Sequence, residues 1–434
     1  MKLIEVQIDR IVGPTHHFGG LGVGNVASHR NSGSVSNPKA AALQGLEKMR
    51  LVAEMGVPQL VLPPHPRPDY RFLRSIGFRD LQNQNGWDVV AQESRTALSA
   101  ANSCSAMWTA NAATVSASVD SAHDRVVMTI ANLNGSLHRA IEPSQTLADL
   151  WQSLPHSVLM LDPLLGGAMM RDEGAANHMR LGSSQNLPGI HVFVYGDQDP
   201  FPKNYWPRQT LAACKAVARL HRLPLENTFF LKQHPDAIDA GAFHNDVVAA
   251  SHHHLLLHHE LAFYDADREL DRMAQRYAQI YNRNLERVEV AQADLSIEDA
   301  VATYLFNSQI VSTENSAPTI ICAAQVDEHE STRQIVSDWC EANHFATCHF
   351  LDLRQSMSGG GGPACLRFRL PLTEKELTSI PFPNRWTPEL DAALVDVVNS
   401  EYPEAITFRD LSQETIREQA AIVDDRLRKL LKHR

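Results

Sequence analysis

The run Ser358-Gly359-Gly360-Gly361-Gly362-Pro363-Ala364-Cys365-Leu366-Arg367 sets a single thiol behind four consecutive glycines. Beyond it, Leu366, Arg367, Phe368, Arg369 and Leu370 alternate apolar and charged, the period of a half-buried strand. Cys365 is therefore expected at the mouth of a strand, delivered by a loop nearly free of side chains. Glycine lets a ligand approach the main chain closely, and a thiol ringed by backbone N–H groups suits nucleophilic attack. The same residues suit a flexible linker beside a buried structural cysteine, because free cysteine is usually buried.

Two further stretches carry titratable groups. In Phe243-His244-Asn245-Asp246-Val247-Val248, a strand would point His244 and Asp246 to one face, as a base beside a cation-binding carboxylate or as a polar pair at a sheet edge. In Arg171-Asp172-Glu173-Gly174-Ala175-Ala176-Asn177-His178, Glu173 sits among small residues, where it could orient an imidazole, hold a cationic group, or simply belong to an acidic loop. Arg139 and Arg208 offer planar donor forks suited to carboxylates. His16 and His17 are adjacent, so they point apart and do not suit one metal ion. His252, His253, His254, His258 and His259 lack the ligand spacing of a zinc site.

Composition narrows the class. With 434 residues, 44% hydrophobic and 21% charged, the chain can bury a large core. Its formal net charge of −11, without a long basic run, argues against nucleic acid and anionic membranes as partners. No apolar run approaches a membrane span, and the first residues lack a signal-peptide core. The six cysteines follow no framework spacing, which suits a reducing cytoplasm.

The elements that must position these residues are short. Met1 to Asp9 alternates as a strand. The segment from Gly13 to Asn25 is a glycine-rich loop able to expose anion-binding main-chain donors, with no helix signal at its end. Ser36-Asn37-Pro38 opens a helix whose buried face is Leu43, Leu46, Met49 and Val52 or Ala53, and Gly56 closes it. Strands are expected at Gln59 to Leu62, Val126 to Ala131, Ile190 to Tyr195, Phe243 to Ala249, His254 to Leu257, Tyr304 to Phe306, Thr319 to Ala323 and Cys365 to Leu370. A helix is expected from Thr210 to about His221, and a terminal one from about 411 to 434 with cations Arg426 to Arg434 in its last turns. Strands alternating with helices, without a linker, predict one α/β body over 1–434 built from repeated units.

Taken in order, specific words resemble the N-succinylarginine dihydrolase family. They are Thr15-His16-His17, the 19–28 loop, Ser36-Asn37-Pro38, Asn111-Ala112-Ala113-Thr114, Ala131-Asn132-Leu133-Asn134, His138-Arg139, Asp172 to His178, Arg208-Gln209-Thr210, Phe243 to Val247, Tyr304 to Gln309 and Gly361 to Arg367. The resemblance implies a pentein fold, a five-bladed α/β propeller with pseudo-fivefold symmetry. It implies conversion of N2-succinyl-L-arginine and two waters to N2-succinyl-L-ornithine, two ammonia and carbon dioxide, a step of arginine catabolism.

The same resemblance implies Cys365, His244 and Glu173 as catalytic residues. It implies substrate contacts from Gly19, Gly20, Leu21, Gly22, Val23, Gly24, Asn25, Val26, Ala27, Ser28, Asn111, His138, Arg139, Arg208 and Asp246. At one substrate position the family carries asparagine and this chain has Gly359. A cytoplasmic homodimer is implied. No metal or other cofactor is required, because sulfur and imidazole can perform the chemistry. The competing expectations are a deiminase that stops at the ureido product, a papain-like peptidase (whose cysteine would precede its histidine), and a histidine-rich metal-binding or scaffold protein.

Overall fold

One arrangement recurs five times: a strand, an antiparallel neighbour, then a helix that returns the chain to a third, parallel strand. The computed structural model describes residues 2–154, 158–312 and 317–432, so Met1 of the first expected strand and Arg434 of the expected terminal helix lie outside the described residues. Among the described residues, the strands are β1 (Leu3–Arg10), β2 (Gln59–Leu62), β3 (Ala113–Ser116), β4 (Val127–Ile130), β5 (Leu159–Leu161), β6 (His178–Leu181), β7 (Ile190–Tyr195) and β8 (Thr228–Lys232). They continue as β9 (Ala249–His252), β10 (Leu255–His259), β11 (Glu286–Val290), β12 (Gln309–Val311), β13 (Thr319–Ala323), β14 (Thr347–Leu351) and β15 (Arg367–Thr373).

They form five three-stranded sheets among the described residues: β3-β4-β5, β6-β7-β8, β9-β10-β11, β12-β13-β14 and β15-β1-β2. In each, the first pair is antiparallel and the second parallel. A parallel neighbour needs a crossover, supplied by helices such as Pro38–Glu54, Leu211–Leu220, Asp267–Tyr281 and Glu330–Glu341. The fifth sheet draws its first strand from near the end of the chain and its other two from the beginning, so the circle closes on itself. β1 and β15 pair from Leu3↔Thr373 to Asp9↔Arg367.

Local sequence accounts for the helices that carry this plan. The Asn37 side chain accepts from Ala40 N at 2.8 Å and Pro38 fills the first turn, so Pro38–Glu54 starts where the capping signal stands. Leu46, Met49 and Val52 are buried, whereas Leu43 and Ala53 are half-buried. On the same buried side, fully enclosed Lys48 donates to Asp9 Oδ2 at 2.6 Å and to Gln309 Oε1 at 2.8 Å, joining this helix to β1 and β12.

Three expectations are corrected. Phe243 to Ala249 is not a strand. His244 is extended, Asn245–Val247 is a 3-10 turn, and β9 starts only at Ala249. Asn245 and Asp246 favour turns and override the β-rich flanks. Tyr304 to Phe306 is also not a strand: Tyr304 has φ +57° and opens the 3-10 turn Leu305–Asn307. The terminal segment breaks into a 3-10 turn, Phe408–Ser412, and a helix, Glu414–Leu430, with Gln413 between them.

Lys48→Ala should remove the cation paired with Asp9 while leaving the carboxylate buried. Breaking a buried ion pair in this way costs about 3–5 kcal/mol, so the variant should unfold at distinctly lower urea concentration and temperature than wild type.

Candidate active site

Each first strand of a sheet is entered through a tight turn, and the five turns bring polar residues together. Thr109–Asn111 precedes β3, Gly174–Asn177 follows Glu173 before β6, Asn245–Val247 follows His244 before β9, Leu305–Asn307 precedes β12, and Gly362 to Cys365 precedes β15. The turns are joined in a closed circle. Asn111 Nδ2 donates to Glu173 O at 3.0 Å, and Glu173 Oε2 lies 2.8 Å from His244 Nε2. Asn307 Nδ2 donates to Asp246 O at 3.2 Å and its Oδ1 accepts from Cys365 N at 3.1 Å. Ala110 N donates to Cys365 O at 3.1 Å, returning to the first turn.

The glycine run is packed rather than loose. Helix Arg354–Gly359 ends on Gly360, at φ +95°, where a Cβ would lie 2.0 Å from Asn25 Nδ2. That amide donates to Gly360 O at 3.0 Å. At Gly362 a Cβ would lie 2.7 Å from Asn307 Oδ1, the atom that holds Cys365 N. The expected ring of free N–H groups around the thiol is therefore corrected in part. The amide of Cys365 itself is committed to Asn307 and Gly362, and its thiol faces Asp246 Oδ2 at 3.7 Å.

Cys365 and His244 line one cleft of about 700 Å³, measured with its open mouth. Gly19, Gly20, Leu21, Gly22, Asn25, Ser28, Asn111, His138, Arg139, Arg208 and Gly359 share its wall. Glu173 stands behind His244, and Asp246 behind Cys365. Four members of the 19–28 segment do not line the cleft. Val23 O accepts from Arg208, Gly24 backs onto Tyr205, Val26 packs near Gly241, and Ala27 O accepts from Asn31 N. A short helix, Val26–Arg30, begins there after an Asn25 cap, against the expectation of no helix signal.

The cleft contains polar atoms without protein partners. Arg139 Nη1 donates to Asn111 Oδ1 at 3.1 Å and its Nε lies 3.6 Å from Glu142 Oε2, while Arg208 Nε, His138 Nδ1 and His244 Nδ1 have no hydrogen-bond partner. Buried donors are ordinarily satisfied, so such a cluster suits a polar ligand. The Arg208 guanidinium also lies over the Phe243 ring at 4.6 Å.

Burial and neighbouring charges set the resting ionisation. Burial pushes the His244 imidazole down to about 4, against the pull of Glu173. Burial acts to raise Glu173, but the hydrogen bond and charge of His244, with Arg208 and Arg139, hold it below its ordinary value. The pair thus rests as carboxylate and neutral imidazole. Burial, then the Asp246 charge, keeps the Cys365 thiol well above its usual range. Burial lifts Asp246 to about 7 and lowers Arg208 to about 10.

Several contributors were not singled out by sequence. Asn307 directly follows Tyr304 to Phe306, the segment read as strand. Gln209 Oε1 accepts from Glu173 N at 2.7 Å, and nothing local marks it. Trp108 walls the cleft beside Gly359, where a Cβ would lie 3.0 Å from its Cζ2, and its Nε1 donates to Ser356 Oγ at 3.0 Å. The paired histidines have separate partners, His16 on Ser36 and His17 on Ser99, both at 2.7 Å. Among the described residues no group of three or more His, Cys, Asp or Glu side chains is arranged to hold a metal ion. Among them, too, no helix is long and apolar enough to cross a membrane.

Comparison with known proteins decides the family, because the succinylarginine dihydrolase profile matches residues 2–434. The chain belongs to the succinylarginine dihydrolase family. A relative from Acinetobacter baumannii (strain SDF), named N-succinylarginine dihydrolase, is 41% identical over 443 residues, covering 99% of this chain and 98% of the relative. One of the same name from Yersinia enterocolitica is 41% identical over 435 residues, covering 98% and 97%. Among solved structures, the product-bound N-terminal domain of ArgZ, an arginine dihydrolase of the ornithine–ammonia cycle in Cyanobacteria, superimposes with a TM-score of 0.53. It is 14% identical, and the match covers 84% of this chain and 97% of that domain. AgrE, solved with ornithine and NAD+, gives 0.52 at 15% identity, covering 84% of this chain and 39% of AgrE. At such identities the likeness shows the fold alone, and the five sheets are a pentein propeller.

Asp246 yields a pH-dependent stability. A carboxyl that ionises near 7 when folded but near 3.8 when unfolded keeps its proton preferentially in the native state, so stability falls as pH rises through that window. Asp246→Asn cannot ionise. It should melt above wild type at pH 8 and converge with it towards pH 4, as thermal unfolding across pH would show.

Proposed function

We propose that the chain hydrolyses N2-succinyl-L-arginine with two waters to N2-succinyl-L-ornithine, two ammonia and carbon dioxide, with Cys365 as nucleophile. The observation that carries the reading is the meeting, in one cleft, of a thiol, a neutral imidazole held by a carboxylate, and two buried arginines. Family membership names the substrate.

The chemistry follows from the resting charges. A guanidinium carbon is electron-poor but resonance-stabilised, so a thiolate is needed to attack it. The arriving cation beside Asp246 and Cys365 favours the thiolate, and the thiol proton passes to His244. The imidazolium is held by Glu173 and, being strongly acidic, delivers its proton to the departing ammonia. The C–N bond breaks and a thiouronium remains on sulfur. His244 then takes a proton from water as its oxygen adds to carbon, and the C–S bond breaks to give the ureido compound.

In the second round Cys365 adds to the same carbon, ammonia leaves, and water releases a carbamic acid that loses carbon dioxide. Asp246 pairs with the guanidinium and fixes its plane. Arg139 and Arg208 receive the substrate's two carboxylates, with Asn111, His138 and the 19–28 segment completing the wall. The main chain at Gly359 serves where the family has asparagine.

The whole chain acts as one catalytic unit in the cytoplasm and as a homodimer. Exposed Leu165, Met169, Phe201 and Trp206 supply apolar surface for self-association.

Ammonia counted against succinylarginine consumed should approach two per substrate, and a ratio of one would make the enzyme a deiminase. Cys365→Ser should lose activity by a factor on the order of 10³ or more; unimpaired turnover would remove the thiol from the mechanism. Arg139→Ala and Arg208→Ala should each raise KM about 10–100-fold with a smaller change in kcat, as expected for lost charge-assisted binding. Unchanged KM in both would take the arginines out of the pocket.

A further inference from the structure

The reaction described above leaves a second cavity unused. It measures about 1010 Å³ with its open mouth and abuts the back of the catalytic layer, because Ala110, Asp246 and Ala364, neighbours of Asn111 and Cys365, form part of its wall. Its remaining polar wall includes Arg180, Ser251, His253, Arg367 and Arg369.

The charges in this cavity do not balance. Arg180 is paired bidentately with Asp120, at 2.6 and 2.8 Å. Arg369 is paired with Glu5 at 2.9 Å and donates to Ser251 O at 2.7 Å. The Arg367 guanidinium donates to nothing among the described residues and has no carboxylate within 4.0 Å. Ser251, only 6% exposed, presents an Oγ that likewise has no partner.

Of the acids whose charge reaches Arg367, Glu5 is already committed to Arg369, and burial keeps the proton of Asp246 on to about 7. An enclosed guanidinium without a counter-ion is unfavourable, and its planar fork suits two oxygens of one anion.

We infer that this rear cavity binds a small oxyanion, gripped by the Arg367 fork and the Ser251 hydroxyl, with Arg180 and Arg369 lending positive potential and neutral His253 completing the polar wall. The site is separate from the front cleft and does not depend on the proposed reaction. The thiol and the anion lie on opposite sides of Asp246.

The test fills the front cleft first. Full-length Cys365→Ser protein is saturated with succinylarginine, whose own binding is measured beforehand by calorimetry. Bicarbonate, and separately inorganic phosphate, is then titrated at constant ionic strength set with chloride, reading heat and Tm. At least one oxyanion should bind saturably. Arg367→Gln in the same background should weaken that binding about tenfold or more, and Ser251→Ala should weaken it several-fold.

Saturation by bicarbonate alone would point to the hydrated carbon dioxide product as occupant; saturation by phosphate too would mark a general oxyanion site. No saturation by either, or undiminished binding in folded Arg367→Gln, would overturn the inference. Should Arg367→Gln fail to fold, Arg367→Lys and Ser251→Ala decide: an unchanged midpoint in both overturns it equally.

Discussion

The pairing of β15 with β1 is the constraint on which the rest of the architecture depends. Seven residue pairs, from Leu3↔Thr373 to Asp9↔Arg367, tie the two ends of the chain into one sheet. Phe368, Leu370 and Leu372 are buried on one face of this pairing, with Val6 and Ile8. Because strand side chains alternate, a slip of one residue would turn all of them outward and carry Cys365 out of line. Hydrophobic burial therefore holds the register that places Cys365 at the entry to β15.

That precision is passed on through main-chain atoms. The circle of turns uses backbone carbonyls of Glu173, Asp246 and Cys365 as acceptors and the Glu173–His244 side-chain contact, leaving the Cys365 thiol to Asp246 and the cleft. Asn111 and Asn307 act as struts between turns from different sheets. Each has a donor and an acceptor on one short side chain, so each can hold two neighbours at once. Arg139 leans on Asn111 in turn, which connects the cleft wall to the circle of turns through a single amide.

Much of this was legible in the sequence, for physical reasons that differ by element. Gln59–Leu62, Ile190–Tyr195 and Thr319–Ala323 were bounded correctly because each is a short apolar run flanked by breakers. Helix Pro38–Glu54 announced itself through its cap. The thiol's position before a strand was readable from alternation. The turns holding His244 and Asn307 were not, because aromatic and β-branched neighbours mimic a strand while the conformation is imposed by contacts with other sheets. The His244–Glu173 partnership spans 71 residues and the Cys365–Asp246 contact 119, distances at which local pattern is silent. Only resemblance to the family brought those residues together beforehand.

The position of Cys365 more than 350 residues after β1 carries a consequence for biosynthesis. Domains emerge from the ribosome from their N-terminal end, and β1 must wait for the strand that follows Cys365. Until that strand docks, imidazole and carboxylate have no sulfur beside them, and the fifth blade has an open edge. The closure that finishes the fifth sheet therefore also brings the thiol to the cleft that His244 lines.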